Sequence, residues 1–342
     1  RSFFKIAFPM ALPALITGIS LMCMEIMNEL GTFALLNIPS ISTGIAENWI
    51  IEGNPKSAIG LSLVALLIIF TLIIFEKFSR RKSKRWSENP ASKDSQGWEL
   101  KKTRALLALT ISLFPPIFSF GIPCFWVLLN IDQIQKGLSI ELLTLSFRTI
   151  GLGFFTAFIT MLFSLIISLS RRPNKSLFLG IITNLAGIGY AIPGTVLALS
   201  LISISSSRFN FIAICLLIWG YLVRFLTISK GSIDSSLERI SPSLDEAALG
   251  LGEDWLGIIK RIHLPLLQGP IFVGSLLVFV DTIKELPITF ILRPFDFDTL
   301  SVRIYQYAGD ERMVEAILPA ILVMTLGLIA SMTLIPSLEK KN

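Results

Sequence analysis

Eighteen consecutive residues from Ala58 to Phe75, AIGLSLVALLIIFTLIIF, carry no charged side chain. As a helix rising 1.5 Å per residue, such a run is about 27 Å long, close to the thickness of a bilayer's hydrocarbon core. Comparable runs recur along the chain, and they set the fold class: a polytopic, all-α transmembrane bundle. The pattern predicts about eight spans, at 11–36, 58–75, 105–129, 149–169, 177–204, 210–228, 267–292 and 316–335. Only 16% of the residues are charged, against about 25% in a soluble domain, so a water-facing globular body is excluded. Pro115 and Pro116 should bend the third span, and Ala191-Ile192-Pro193-Gly194 should break the fifth.

The net charge of +6 does not mark a nucleic-acid binder, because the basic residues gather in loops beside apolar runs. That placement fits the positive-inside rule. Clusters around Arg80, Arg171, Arg261 and Lys340 fall on one side of an eight-span topology, which becomes the cytoplasmic side. Lys56, Lys136, Arg208, Arg293, Arg303 and Arg312 are scattered on the other. Both ends of the chain are then expected on the cytoplasmic side. The basic stretch 77–104, with Arg80, Arg81, Lys82, Lys84, Arg85 and the run SENPASKDSQG, has the composition of a linker. Cys23, Cys124 and Cys215 lie in apolar segments without CxxC spacing, so they are expected as packing residues.

An internal repeat sets the domain reading. KIAFPMALPALITG (5–18) matches RIHLPLLQGPIFVG (261–274) at an offset of 256. The same offset places Glu25 on Asp281, Glu29 on Glu285, Leu30 on Leu286 and Thr43 on Thr299. The chain is therefore expected to contain the end of one half (1–76, two spans), the linker 77–104, and a second half (105–342, six spans). About four further spans are expected upstream of Arg1, as in transporters built from parallel repeats.

The longest soluble-looking patch of the second half, 243–265, lies between apolar segments and contains DEAALGLGEDWLGIIKRIHLP. Ser243 precedes Glu246 by three residues, the spacing of a capping box. Gly250 and Gly252 allow a sharp turn before a second helical pattern from Trp255 to Ile262, and Pro265 opens the next element. Glu-Ala-Ala, three residues, Gly, nine residues, Ile, one residue, Leu-Pro is also the EAA loop of the membrane subunits of bacterial binding-protein-dependent ABC importers. Glu246, Ala247, Ala248, Gly252, Ile262, Leu264 and Pro265 match every position. The resemblance implies a type I ABC importer permease fold. It also implies that this loop is a coupling helix docking on a dimer of separate ATPase subunits.

A narrower resemblance covers most of the chain. Residues 279–321 resemble ferric-iron permeases through Lys284, Glu285, Leu286, Pro287, Arg293, Pro294, Phe295, Phe297, Asp298, Thr299 and Leu300. NELGTFALLNIPSISTGI (28–45) is similar to the first half of the same family. What this implies is iron(III) as substrate, delivered by a periplasmic binding protein that contacts outer residues such as Asp296, Asp298 and Arg303. Thiamine, polyamine and phosphonate importers share the architecture and stay open as alternatives. So does a proton- or sodium-coupled secondary transporter. The chain itself has no P-loop, no nucleophile–base pair and no dinucleotide fingerprint. No enzymatic activity and no bound cofactor are expected of it, and ATP is used by the partner.

Glu25 with Glu29, and Asp281 with Glu285, are each one helical turn apart, so each pair shares a face. Ionisable groups at membrane depth face a bundle interior or water, because lipid exposure is costly. With Asn28 and Lys284 they are the candidate cation pathway, since carboxylate oxygens suit hard cations. The competing structural reading has Lys284 paired with an acid and Asn28 bridging helices. Pro193 and Gly194 are a candidate gate, or a simple kink. His263, the single histidine, is expected at the surface of the loop.

Overall fold

A computed structural model describes residues 8–83, 100–132, 139–173, 176–204 and 210–339; side chains at 9, 10, 13, 14, 17, 76–83, 210 and 335–339 lie outside that set. The described residues form helices and turns, with no strand among them. Six helices are long and apolar enough to cross a membrane, or seven if one sharply bent pair counts as a single span. The eight spans expected from the sequence are not all counted among the described residues.

The first part of the chain is α1 (Phe8–Asn28), the short α2 (Gly31–Leu35), α3 (Ile41–Ala46) with a π-turn Glu47–Ile51, and α4 (Pro55–Ser83). Then come α5 (Thr103–Pro116), a π-turn Ile117–Gly121 and α6 (Ile122–Leu129). Together α5 and α6 form one stretch, Thr103–Leu129, long and apolar enough to cross a membrane and with none of its residues buried. The π-turn directly follows Pro115 and Pro116, so the helix continues past the prolines with a locally shifted bonding pattern.

The centre is built by α7 (Ile140–Ser170), α10 (Asn210–Leu237) and α13 (Leu264–Lys284), which pack on one another. In a membrane, packing and close backbone approach hold helices together, because lipid is as apolar as Leu. Small residues at the contacts supply that approach. A β-carbon on Gly153 of α7 would lie 2.8 Å from the Phe279 ring, and one on Gly274, midway along α13, would lie 2.7 Å from Met161. Leu217, Tyr221, Phe225, Val278 and Ile283 are buried between these three helices.

The expected fifth span is α8 (Leu177–Ala186) and α9 (Gly194–Ile204), joined by a 3₁₀ turn at Gly189–Ala191 and bent by 112°. Helix α9 packs on α14 (Pro287–Leu292), and its Val196 and Leu199 meet Ile45, Ala58 and Ala65 of the first part. The remaining elements are α11 (Pro242–Gly250), α12 (Trp255–Ile258) with a π-turn Ile259–His263, α15 (Leu300–Gly309) and α16 (Met313–Glu339).

Several expected boundaries move. The first and seventh spans end at Asn28 and Lys284, not at Leu36 and Leu292, because each helix breaks at a glutamate and restarts as a short helix. Helices α7, α10 and α16 extend beyond the apolar runs that announced them, and α4 continues to Ser83, into the basic stretch. Most of the linker (84–99), and Lys136, Arg208 and Lys340, lie outside the described residues. Helix ends also recur at the offset found in the sequence: α1 and α13 end at 28 and 284, α2 and α14 begin at 31 and 287, and each difference is 256.

Candidate functional site

Glu25, Asn28, Glu29, Asp281, Lys284 and Glu285 all line one cavity of about 400 Å³. It forms where α1 and α13 end, against the bend before α9. At its mouth, Lys284 Nζ lies 3.0 Å from Asp281 Oδ1 and 3.6 Å from Glu25 Oε1, with Glu25 and Lys284 about half exposed. Tyr190 donates its hydroxyl to Glu25 Oε2 at 2.9 Å.

The floor is buried and more densely bonded. Asn28 Oδ1 accepts from the Gly194 backbone N–H at 2.6 Å and from Arg224 Nη1 at 2.7 Å. The Arg224 guanidinium lies 5.3 Å from the Tyr190 ring centre. Glu285 is buried and accepts from the backbone N–H groups of Ile288 (3.1 Å) and Thr289 (3.2 Å) and from the Thr289 hydroxyl (3.1 Å). It therefore caps α14, satisfying orphan donors of that helix's first turn. Glu29 does the same for α2 with one bond, from Thr32 N–H at 2.9 Å. The two glutamates related by the offset of 256 thus hold corresponding positions, each with its carboxylate engaged by backbone.

The acidic pairs accordingly divide. Glu25 and Asp281 meet around Lys284, while Glu29 and Glu285 terminate helices, and Asn28 bridges α1, α9 and α10. The structural elements of the competing reading are therefore present beside the cavity. Formally it holds four carboxylates and two cations, Arg224 and Lys284. Among the described residues no group of three or more His, Cys, Asp or Glu side chains is placed to hold a metal ion. Pro193 and Gly194 sit at the sharp bend, and a β-carbon on Gly194 would come 3.0 Å from both Asn28 Oδ1 and Glu285 Oε1. Gly194 therefore backs two residues of the cavity floor, Asn28 and Glu285, without itself lining it.

Arg224 and Tyr190 were not anticipated from sequence. Arg224 is the one charge inside the run Phe211–Ile228, a rare placement that by itself marks an interior-facing group.

The segment 243–265 lies at the other end of α13. Helix α11 carries Glu246 and Ala247 exposed and Ala248 buried. Gly252, at φ +89, makes the turn in a region that L side chains rarely adopt. Leu244, Leu249, Leu251 and Leu256 are exposed around it. The expected capping box is not formed: Pro242 starts the helix two residues early, and Ser241 is the cap, accepting from Ser243 N–H at 3.3 Å. Ile262 and Leu264 are half-buried and Pro265 is exposed, and the chain passes without a break into α13. Pro265 lies at the start of α13, directly after the π-turn Ile259–His263.

His263 is fully buried, contrary to the surface placement expected of it. Its Nε2 lies 3.1 Å from Asp245 Oδ1, and its ring packs near Trp255. Asp245 also pairs with Arg172, past the end of α7. Arg172 in turn donates to the carbonyls of Leu237 (2.9 Å), Ile240 (2.9 Å) and Ser241 (3.3 Å). One guanidinium thus fixes the turn that leads into α11.

In the 293–299 loop, Asp298 is shared by Arg293 and Arg303. Burial first, and the Arg303 charge second, lower the pKa of Arg293. Arg303 also pairs with Glu141 at 2.5 Å. Of the expected outer contacts, Asp296 is exposed, while Asp298 and Arg303 are engaged within the chain.

No family model matches the chain. It is 26% identical over 321 residues to the protein named Fe(3+)-transport system permease protein FbpB 2 of Haemophilus influenzae, an alignment covering 90% of this chain and 62% of that protein. The chain thus spans less than two thirds of the length of that relative. The resemblance to ferric-iron permeases, read from two stretches of sequence, is borne out by an alignment across most of the chain.

Proposed function

We propose that this chain is part of the membrane permease of an ATP-driven importer that carries iron(III) from an external binding protein into a bacterial cell. The fold is that of a type I importer permease, with duplicated halves and the cavity at the Glu25–Glu285 junction as its cation pathway. Segment 243–265 is the docking element for a dimer of ATPase subunits, and the 293–315 side faces the binding protein. The chain itself carries cargo and has no catalytic role.

One observation carries this reading best. The segment from Trp255 to Lys284 is a single stretch of 30 helical residues, about 45 Å long. Exposed Glu246 and the turn at Gly252 adjoin one end, and the acid-lined cavity lies at the other. A displacement imposed on the exposed end is delivered to the cavity with no flexible joint between them.

The test is uptake of radiolabelled iron(III) by proteoliposomes holding the complete permease, its ATPase and its binding protein, with thiamine, spermidine and a phosphonate as competing solutes. Uptake should require ATP and be specific to iron. Glu246→Lys and Gly252→Asp should abolish uptake while the protein still inserts in the membrane. Transport at wild-type rate by both variants removes the coupling role, and uptake that is insensitive to vanadate removes the ATP-driven class.

A further inference from the structure

We infer that Arg224 is the resident cation of the cavity: a tethered positive charge that sits in the acidic floor while the pathway is closed. It bars small free cations, and it has to leave Asn28 for cargo to pass. This inference rests on the cavity being the pathway.

Three observations lead to it. Arg224 is buried to 3% exposure on the cavity wall, yet its Nε has no hydrogen-bond partner among the described residues. A buried guanidinium ordinarily pairs with a carboxylate in a two-bond fork. Here Nη1 is held by a neutral amide oxygen at 2.7 Å and more weakly by the Ile192 carbonyl at 3.4 Å. No carboxylate lies within salt-bridge reach of it among the described residues. The charge is therefore balanced by the general field of the surrounding acids and latched by a neutral acceptor, an arrangement that can release.

The second observation is what the latch joins. Asn28 ends α1, Gly194 starts α9, and Arg224 is on α10. The contact joins residues 196 positions apart, from the first part of the chain to the second. Movement of α1 relative to α10 breaks it.

The third is a second resting place. The Tyr190 ring lies 5.3 Å from the guanidinium, and its hydroxyl is bonded to Glu25 at the mouth. An arginine released from Asn28 can slide along an aromatic face, which attracts cations, toward Glu25. A cation entering the floor would then replace one positive charge with another and keep the buried acids balanced.

The experiment uses the full permease–ATPase complex in proteoliposomes, with entrapped calcein quenched by entering Mn²⁺ in the absence of ATP and binding protein, and ATP-driven iron(III) uptake as the second readout. Arg224→Gln should raise passive Mn²⁺ entry by about tenfold or more, because the barrier charge is gone and the acids remain. Asn28→Asp keeps every hydrogen bond and adds a charge to the latch. It should stay as tight as wild type to Mn²⁺ and lower ATP-driven uptake by about tenfold or more. An Arg224→Gln complex that assembles with its ATPase and is no leakier than wild type overturns the inference. Where Arg224→Gln fails to assemble, Asn28→Asp decides alone, and uptake at wild-type rate overturns it. Iron uptake by wild type beside a tight Arg224→Gln removes this inference only. A leaky Arg224→Gln beside a wild type without iron uptake removes the iron reading only.

Discussion

Replacing Asp245 by Ala removes the carboxylate that, among the described residues, faces both Arg172 and His263. Both ends of the ion pair are largely buried, at 14% and 11% side-chain exposure. Breaking a buried pair by deleting one partner costs about 3–5 kcal/mol, most of it from the charge left behind. Arg172 retains three backbone carbonyl acceptors at Leu237, Ile240 and Ser241, so the low end, about 3 kcal/mol, applies. At about 1.4 kcal/mol per tenfold, that is roughly a 100-fold shift in the local opening of α11. Amide hydrogen exchange of the purified protein in nanodiscs reads it directly. The α11 amides should exchange roughly 100-fold faster while those of α7 and α13 stay protected. Asp245→Asn, which keeps an acceptor, should show a much smaller effect. Exchange in α11 within about threefold of wild type would mean that the apolar contacts of Ala248 and Ile258 hold the segment without the ion pair.

Other expectations are equally specific. A β-carbon on Gly189 would lie 1.8 Å from the Val223 carbonyl oxygen. Gly189→Ala should therefore force the 3₁₀ turn off α10 and destabilise the protein by about 3 kcal/mol, seen as a lower melting temperature in detergent; an unchanged melt refutes the contact. Glu285→Ala removes a buried cap that accepts several bonds and should cost about 2 kcal/mol, while Glu29→Ala, with one bond and partial exposure, should cost about 0.5 kcal/mol. Equal costs in denaturant titration would argue against the capping roles. Asp298→Ala leaves Arg293 and Arg303 facing each other without their shared carboxylate. It should destabilise by about 2 kcal/mol and do so less at high salt, measured by the same melts.

The apolar runs made the helical bundle legible, because bilayer thickness sets a length that few other constraints demand. Helix ends were harder to place. Composition stays apolar from Gly31 to Leu36 and from Pro287 to Leu292, so nothing in hydrophobicity marks the breaks. They come from Glu29 and Glu285 turning their side chains onto the next helix's N–H groups. The six polar residues singled out in the sequence line one cavity, but Glu29 and Glu285 lie just past the ends of α1 and α13 and not on the helical face that their spacing implied. What could not be read was who bonds to whom. Asn28 to Arg224 and Arg172 to Asp245 are contacts across 196 and 73 positions, and pattern along one helix carries no trace of them. His263 was misplaced for the same reason. Its burial is made by Asp245 and Trp255, which only the turn at Gly252 brings alongside. The short amphipathic α15 was hidden in a loop whose polar residues outnumber its buried ones, Leu300 and Val302.

Gly274 stands at the midpoint of α13, where a β-carbon would press on both Met161 of α7 and Ser232 of α10. It has the placement of a fulcrum. With about 15 Å of helix on either side, a tilt of about 10° around that point swings each end by about 3 Å in opposite directions. That distance matches the span of one hydrogen bond, so a modest seesaw at the centre is sufficient to make and unmake bonding at both extremities at once.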